Sequence, residues 1–138
     1  MPEPIALHLL LPRVPDIELV AIEGLEKLAH HLGLAAQKVG EAKLIVAEAV
    51  TNALEHAGGD RPSVRVEFTV TTDEICIFVQ DNGNGFDPAG VQDPELTGKL
   101  HAPSKRGWGL KIMKSLSDDF RIESGAQGTT IIIRKLLS

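Results

Sequence analysis

The chain is short of aromatic residues, cysteine and positive charge. Four of its 138 residues are Phe, one is Trp and none is Tyr, so intrinsic fluorescence rests on Trp108 alone. Cys76 is the sole cysteine, which rules out a disulfide within the chain. Placed mid-strand, it reads as a packed thiol in a reducing compartment, the cytoplasm; a catalytic thiol needs an exposed, electropositive setting. Lys and Arg number 14 against 19 Asp and Glu, a net charge of −5. That balance argues against nucleic acid as a partner, because affinity for a phosphate backbone comes from clustered Lys and Arg. No basic segment precedes an apolar run at the N-terminus, and no apolar stretch is long enough to cross a bilayer, so no membrane partner is expected. What the chain does have is 43% hydrophobic residues, enough to build a core without covalent staples. Its length predicts one domain over residues 1–138.

Residues 5–11 form a short apolar run ended by Pro12. Pro15-Asp16 then opens a helix to about His31, with Ile17, Val20, Leu25, Leu28 and Leu32 on its apolar face and Gly33 as its stop. A second helix is predicted from about Ala35 to Ala57, ending at Gly58-Gly59. Residues 63–71 alternate, with Val64, Val66, Phe68 and Val70 on one side, as a half-buried strand does. The run 74–80 is apolar on both faces and predicts a central strand. Residues 82–106 are rich in Gly and Pro and lack periodicity; a loop of that length in a small domain is commonly functional, often a lid. A short helix from about Gly109 to Leu116 and strands near 119–123 and 129–136 complete the chain. The order predicts an α/β fold, a two-layer sandwich with helices on one face of a mixed β-sheet.

Three segments carry chemistry. The strand 75–80 runs into Asp81-Asn82-Gly83-Asn84-Gly85. An acid held at the exit of a rigid strand, beside glycines that admit close approach, is a ligand anchor or an ordinary turn. On the second helix Glu48 and Asn52 lie one turn apart, and His56 continues the line. Within so apolar a helix they read either as a solvated polar stripe or as oxygen donors for a hard cation; Mg2+ takes such oxygens and keeps several waters. Lys105-Arg106-Gly107-Trp108-Gly109-Leu110 joins the loop to the third helix. Open backbone N–H groups at a helix N-terminus, with two basic side chains, suit an anion as well as they suit a plain hinge. Gly125 to Thr130 is a turn between the last two strands and says little alone.

The order of these pieces resembles the Bergerat-fold ATP-binding superfamily of gyrase, mismatch-repair ATPases, heat-shock chaperones and sensor histidine kinases. The resemblance covers residues 40–136. Within it, Glu48-Ala49-Val50-Thr51-Asn52-Ala53 and Gly85-Phe86-Asp87-Pro88 look most like the bacterial anti-sigma-factor serine kinases. That resemblance implies an Mg-ATP-dependent protein serine kinase acting as a partner-switching regulator. Asp81 would accept a hydrogen bond from the adenine amino group, with Gly83 and Gly85 letting the base approach. Asn52 would ligate Mg2+, and Glu48 would be the general base toward the attacking hydroxyl. Gly107 and Gly109 would give amides to the phosphates, within a segment completed by Trp108 and Leu110. Arg106 and Lys105 would stabilise charge during transfer, and Thr129 or Thr130 would support the adenine end. The phosphoacceptor would be an antagonist protein of the anti-anti-sigma kind. A sigma factor is the second implied partner and a homodimer the implied assembly.

Two features depart from the pattern. Residues 16–32 hold no Arg, where many such kinases carry one for the sigma factor, and Trp108 is bulky for a phosphate loop. A histidine kinase would need a phosphoacceptor His on a dimerising hairpin, and His30-His31 has no partner helix before it; a gyrase-type ATPase would need a transducer domain. The remaining alternative is a nucleotide-dependent binding module that sequesters a regulator without phosphotransfer.

Overall fold

The structure, a computed structural model, describes residues 3–83 and 105–138, apart from the side chains of 105–107. Among the described residues five strands and three helices follow one another: β1 (Ile5–Pro12), α1 (Glu18–Leu32), α2 (Ala36–His56), β2 (Ser63–Val70), β3 (Glu74–Asp81), α3 (Lys105–Leu116), β4 (Asp119–Gly125) and β5 (Gly128–Leu136). Of the expected lid over residues 82–106, residues 84–104 lie outside the described residues, and Gly85 with them.

The strands pair in the order β1-β2-β3-β5-β4. β3 is central, as its two-sided apolar run predicts. Alternation sends Val64, Val66, Phe68 and Val70 of β2, Ile75, Ile77 and Val79 of β3, and Ile131 and Ile133 of β5 to one face, all buried. The helices cover that face, with α2 between α1 and α3 and against β2, β3 and β5. Leu25 of α1, Ile45, Val46 and Val50 of α2 and Met113 of α3 close the core. Each such side chain removed from water contributes about 1.5–3 kcal/mol.

The two layers are as expected, but the sheet is not mixed. All four ladders are antiparallel. β3 and β4, joined through α3, do run in the same direction, as a crossover requires. They are not neighbours, because β5 folds back from β4 and inserts between them. The turn at Gly125–Gly128 makes that return possible, and the hydrogen bonds that a parallel pair would have shared go to β5 instead.

The helix boundaries also differ at one functional point. α3 begins at Lys105, four residues before the expected start at Gly109. Gly109 is therefore fifth in the helix, past the four N-terminal amides that a helix leaves open.

Candidate functional site

α2, packed between the sheet and the third helix, carries every polar residue singled out in it on one side. Glu48, Asn52 and His56 recur at i, i+4 and i+8, so they form one stripe. Over eight residues at 1.5 Å rise the stripe is about 12 Å long. Its ends rest on different elements. At the N-terminal end Glu48 abuts Gly109 of α3, and at the C-terminal end the His56 carbonyl abuts Gly83 beyond β3.

Asp81 is the last residue of β3 and only 3% exposed. Its Oδ1 accepts the backbone N–H of Gly83 at 2.8 Å and that of Thr129 at 3.2 Å. Those bonds fix the carboxylate between the β3 exit and the start of β5. Oδ2 is buried with no hydrogen-bond partner among the described residues. Asn52 is 6% exposed, and both ends of its carboxamide, Oδ1 and Nδ2, are buried without partners among the described residues. A buried polar atom left unpaired costs about 1–3 kcal/mol. Three such atoms on Asn52 and Asp81 are what a ligand with complementary donors and acceptors would satisfy.

Gly83 allows the close approach that builds this end. A Cβ there would lie 1.8 Å from the His56 carbonyl oxygen, a backbone atom unable to swing aside. Gly128, at φ +122°, is packed as tightly on the Asp81 carbonyl. Asn82 ties the loops together: its Oδ1 accepts from Gly58 at 3.1 Å and Ser63 at 3.3 Å, and its Nδ2 donates to Arg61 O at 3.1 Å.

The two threonines separate. Thr129 is buried on the helix side beside Asp81, and its hydroxyl shares a 2.7 Å hydrogen bond with Ser124. Thr130, one residue on, points to the opposite face, where its hydroxyl accepts from Gln80 Nε2 at 3.0 Å. Strand alternation thus brings Thr129 to the site and leaves Thr130 outside it. On α3, Leu110 is buried in the core, while Trp108 is 40% exposed with Lys111 Nζ 5.8 Å from its ring centroid. Lys105, Arg106 and Gly107 form the first turn of α3 by backbone alone.

Sequence reasoning missed two supports. Arg13, in the β1–α1 connection, donates through Nε (2.9 Å) and a terminal nitrogen (2.6 Å) to Leu54 O, and to Ala57 O as well. It satisfies carbonyls that the C-terminal end of α2 leaves open, with the charge sign that end prefers. Lys135 is 5% exposed, and its Nζ lies 2.6 Å from Glu41 Oε2 of α2 and 2.6 Å from Leu116 O of α3. The hydrogen bond from Lys135 is the main cause that holds the Glu41 carboxyl below the usual carboxylate value. Nothing in the sequence marked Arg13. Lys135 had a signal: it continues the buried alternation Thr129, Ile131, Ile133, where a cation requires a partner.

Among the described residues no cluster of three or more His, Cys, Asp and Glu could hold a metal ion. Asn52 Oδ1 remains as a hard oxygen donor, which suits a cation whose other ligands are phosphate and water. No helix among the described residues is long and apolar enough to cross a membrane.

This chain belongs to the histidine kinase-like ATPase domain family, whose sequence profile it matches over residues 15–135. Among curated relatives it is 29% identical over 136 residues to the serine-protein kinase RsbW of Oceanobacillus iheyensis, covering 93% of this chain and 84% of that one. It is 31% identical over 104 residues to the anti-sigma F factor of Clostridium novyi, covering 73% of each. Among solved structures, the RsbU and RsbW domains of a Mycobacterium tuberculosis protein share the fold, with a TM-score of 0.66 at 20% identity. That match covers 96% of this chain and 32% of the other.

Proposed function

We propose that this protein is a cytoplasmic Mg-ATP-dependent serine kinase that regulates by switching protein partners. The observation that carries the reading is the set of buried, unpartnered polar atoms on Asn52 and Asp81, within a chain of an ATPase family. The relatives named serine-protein kinase and anti-sigma F factor support the activity and the kind of partner. The phosphoacceptor is a serine of an antagonist protein, and a sigma factor is the second partner.

In this reading ATP lies along the α2 stripe, base at the His56 end and phosphates at the Glu48 end. Asp81 Oδ2 accepts from the adenine amino group while Oδ1 stays on its two backbone donors. Gly83 and Thr129 line the base. Asn52 Oδ1 is the protein ligand for Mg2+, which when bound neutralises phosphate charge. The amides of residues 105–108 open toward the phosphates from the α3 N-terminus, with Arg106 and Lys105 adding positive charge. Glu48 takes the proton from the serine Oγ as the Oγ–P bond forms; the bond from the γ-phosphorus to the β–γ bridging oxygen breaks, and ADP leaves.

Nucleotide binding is tested by Trp108 emission and by calorimetry with Mg-ATP. A change in emission together with measurable heat is expected; neither signal with ATP or ADP would sink the reading. Glu48→Gln should bind Mg-ATP as the wild type does and transfer no phosphate. If nucleotide binds but wild type and Glu48→Gln are equally inactive toward every acceptor, the protein is a sequestering module instead.

A further inference from the structure

Glycine is the least favourable helix residue after proline, yet α3 carries Gly109 in its second turn. The site is enclosed: Gly109 is buried, and a Cβ built on it would stand 2.9 Å from Glu48 Oε2 and 3.9 Å from Glu48 Cδ. The atom in the way is the tip of a flexible side chain, so a methyl group here would displace the carboxylate and leave the backbone where it is. The amide of Gly109 lies past the open N-terminal turn of α3 and is not available to an anion. Its lack of a side chain therefore serves Glu48.

α3 cannot slide away to make room. Glu41 precedes Glu48 by two turns on the same face of α2, and through Lys135 it meets the C-terminal carbonyl of α3 at Leu116. Leu116 in turn follows Gly109 by two turns. The two helices thus run antiparallel with contacts at both ends: the lysine clamp at one and the Glu48–Gly109 contact at the other. With the far end fixed, the near end keeps its spacing.

We propose that Gly109 is a positioning residue, a side-chain-free seat on α3 that fixes the carboxylate of Glu48 for proton abstraction. The inference rests on the kinase reading for the role of Glu48, and its geometry can be tested apart from that reading. The full chain is compared with Gly109→Ala, Glu48→Asp and the double variant. Three readouts are taken: the Glu48 side-chain carboxyl 13C resonance (assigned by its loss in Glu48→Gln), Mg-ATP affinity by calorimetry, and basal phosphate release from Mg-ATP, with water standing in for the serine hydroxyl. Gly109→Ala should melt no lower than wild type, shift the Glu48 resonance, keep Mg-ATP affinity within twofold and lose tenfold or more in kcat. Glu48→Asp, whose shorter side chain clears the added methyl, should release phosphate several-fold faster in the Gly109→Ala background than Gly109→Ala does alone. An unmoved Glu48 resonance overturns the seat, as does a double variant whose losses simply add. In a protein that neither binds Mg-ATP nor releases phosphate, the kinase reading fails by itself, while the resonance still decides the seat.

Discussion

At the scale of single residues, Asp81 divides its two oxygens between different tasks. Oδ1 holds Gly83 and Thr129 in the fold, and Oδ2 has no hydrogen-bond partner among the described residues. Asp81→Asn keeps the Oδ1 acceptor but turns the second oxygen into a donor, which would meet the donating amino group of adenine. The variant should fold normally and lose ATP affinity by about 1–3 kcal/mol, roughly tenfold for each 1.4 kcal/mol. Calorimetry with Mg-ATP checks this, and equal affinity would remove Asp81 from the base pocket. Gly83→Ala has the opposite profile. Its methyl collides with the His56 carbonyl, so the backbone must move, at an overpacking cost of about 1–3 kcal/mol. A lowered urea midpoint is the expected result; an unchanged one would mean that the loop lies elsewhere. Asp81 and Gly83 were legible from sequence as residue types, because an acid at a strand exit followed by glycine is a local pattern. The pairing of Asp81 with Thr129 was not, since 48 residues separate them along the chain.

At the scale of elements, the polar stripe of Glu48, Asn52 and His56 is only as straight as α2, and α2 is held at both ends by cations from elsewhere in the chain. Arg13 caps its C-terminal carbonyls, and Lys135 engages Glu41 near its start. The Lys135–Glu41 pair has a definite pH signature. Glu41 is held below the ordinary carboxyl value of 4.5 in the folded state, so the pair adds stability above the unfolded carboxylate range and loses it as pH falls through the lower folded value. Thermal midpoints of wild type and Glu41→Gln should therefore differ at about pH 7 and converge well below pH 4.5; a constant gap across that range would sink the assignment. The helices and strands themselves were readable from periodicity, because burial on one side imprints 3.6- and 2-residue repeats. The start of α3 was not: Gly107 and Gly109 look like loop residues, and the packing of Gly109 against Glu48 of α2 is a long-range contact that leaves no local mark. Nor was the insertion of β5 between β3 and β4 readable, since sheet order is decided by long-range pairing that leaves no local mark.

At the scale of the whole molecule, a nucleotide that bridges α2, β3, β5 and α3 should stabilise all of them together. A ligand that binds only the folded state at 100 times its Kd adds about 2.7 kcal/mol. Saturating Mg-ATP should raise the thermal midpoint by several degrees, whereas GTP, which places a carbonyl where adenine has its amino group, should raise it little. Equal shifts from the two nucleotides would contradict base selection by Asp81. On the kinase reading, the same bridging sets when, during its own manufacture, the protein could begin to bind nucleotide. A chain emerging from the ribosome has Glu48, Asn52 and Asp81 in hand once β3 is made. β3 then still presents a bare edge, because its partner over Glu74–Gln80 is β5, which comes last in chain order among the described strands. Until residues 128–136 arrive, Asp81 has no Thr129 amide to fix it and the proposed base pocket has no second wall. On the kinase reading, nucleotide capture therefore waits for β5, and a nascent chain that still lacks it should not retain Mg-ATP.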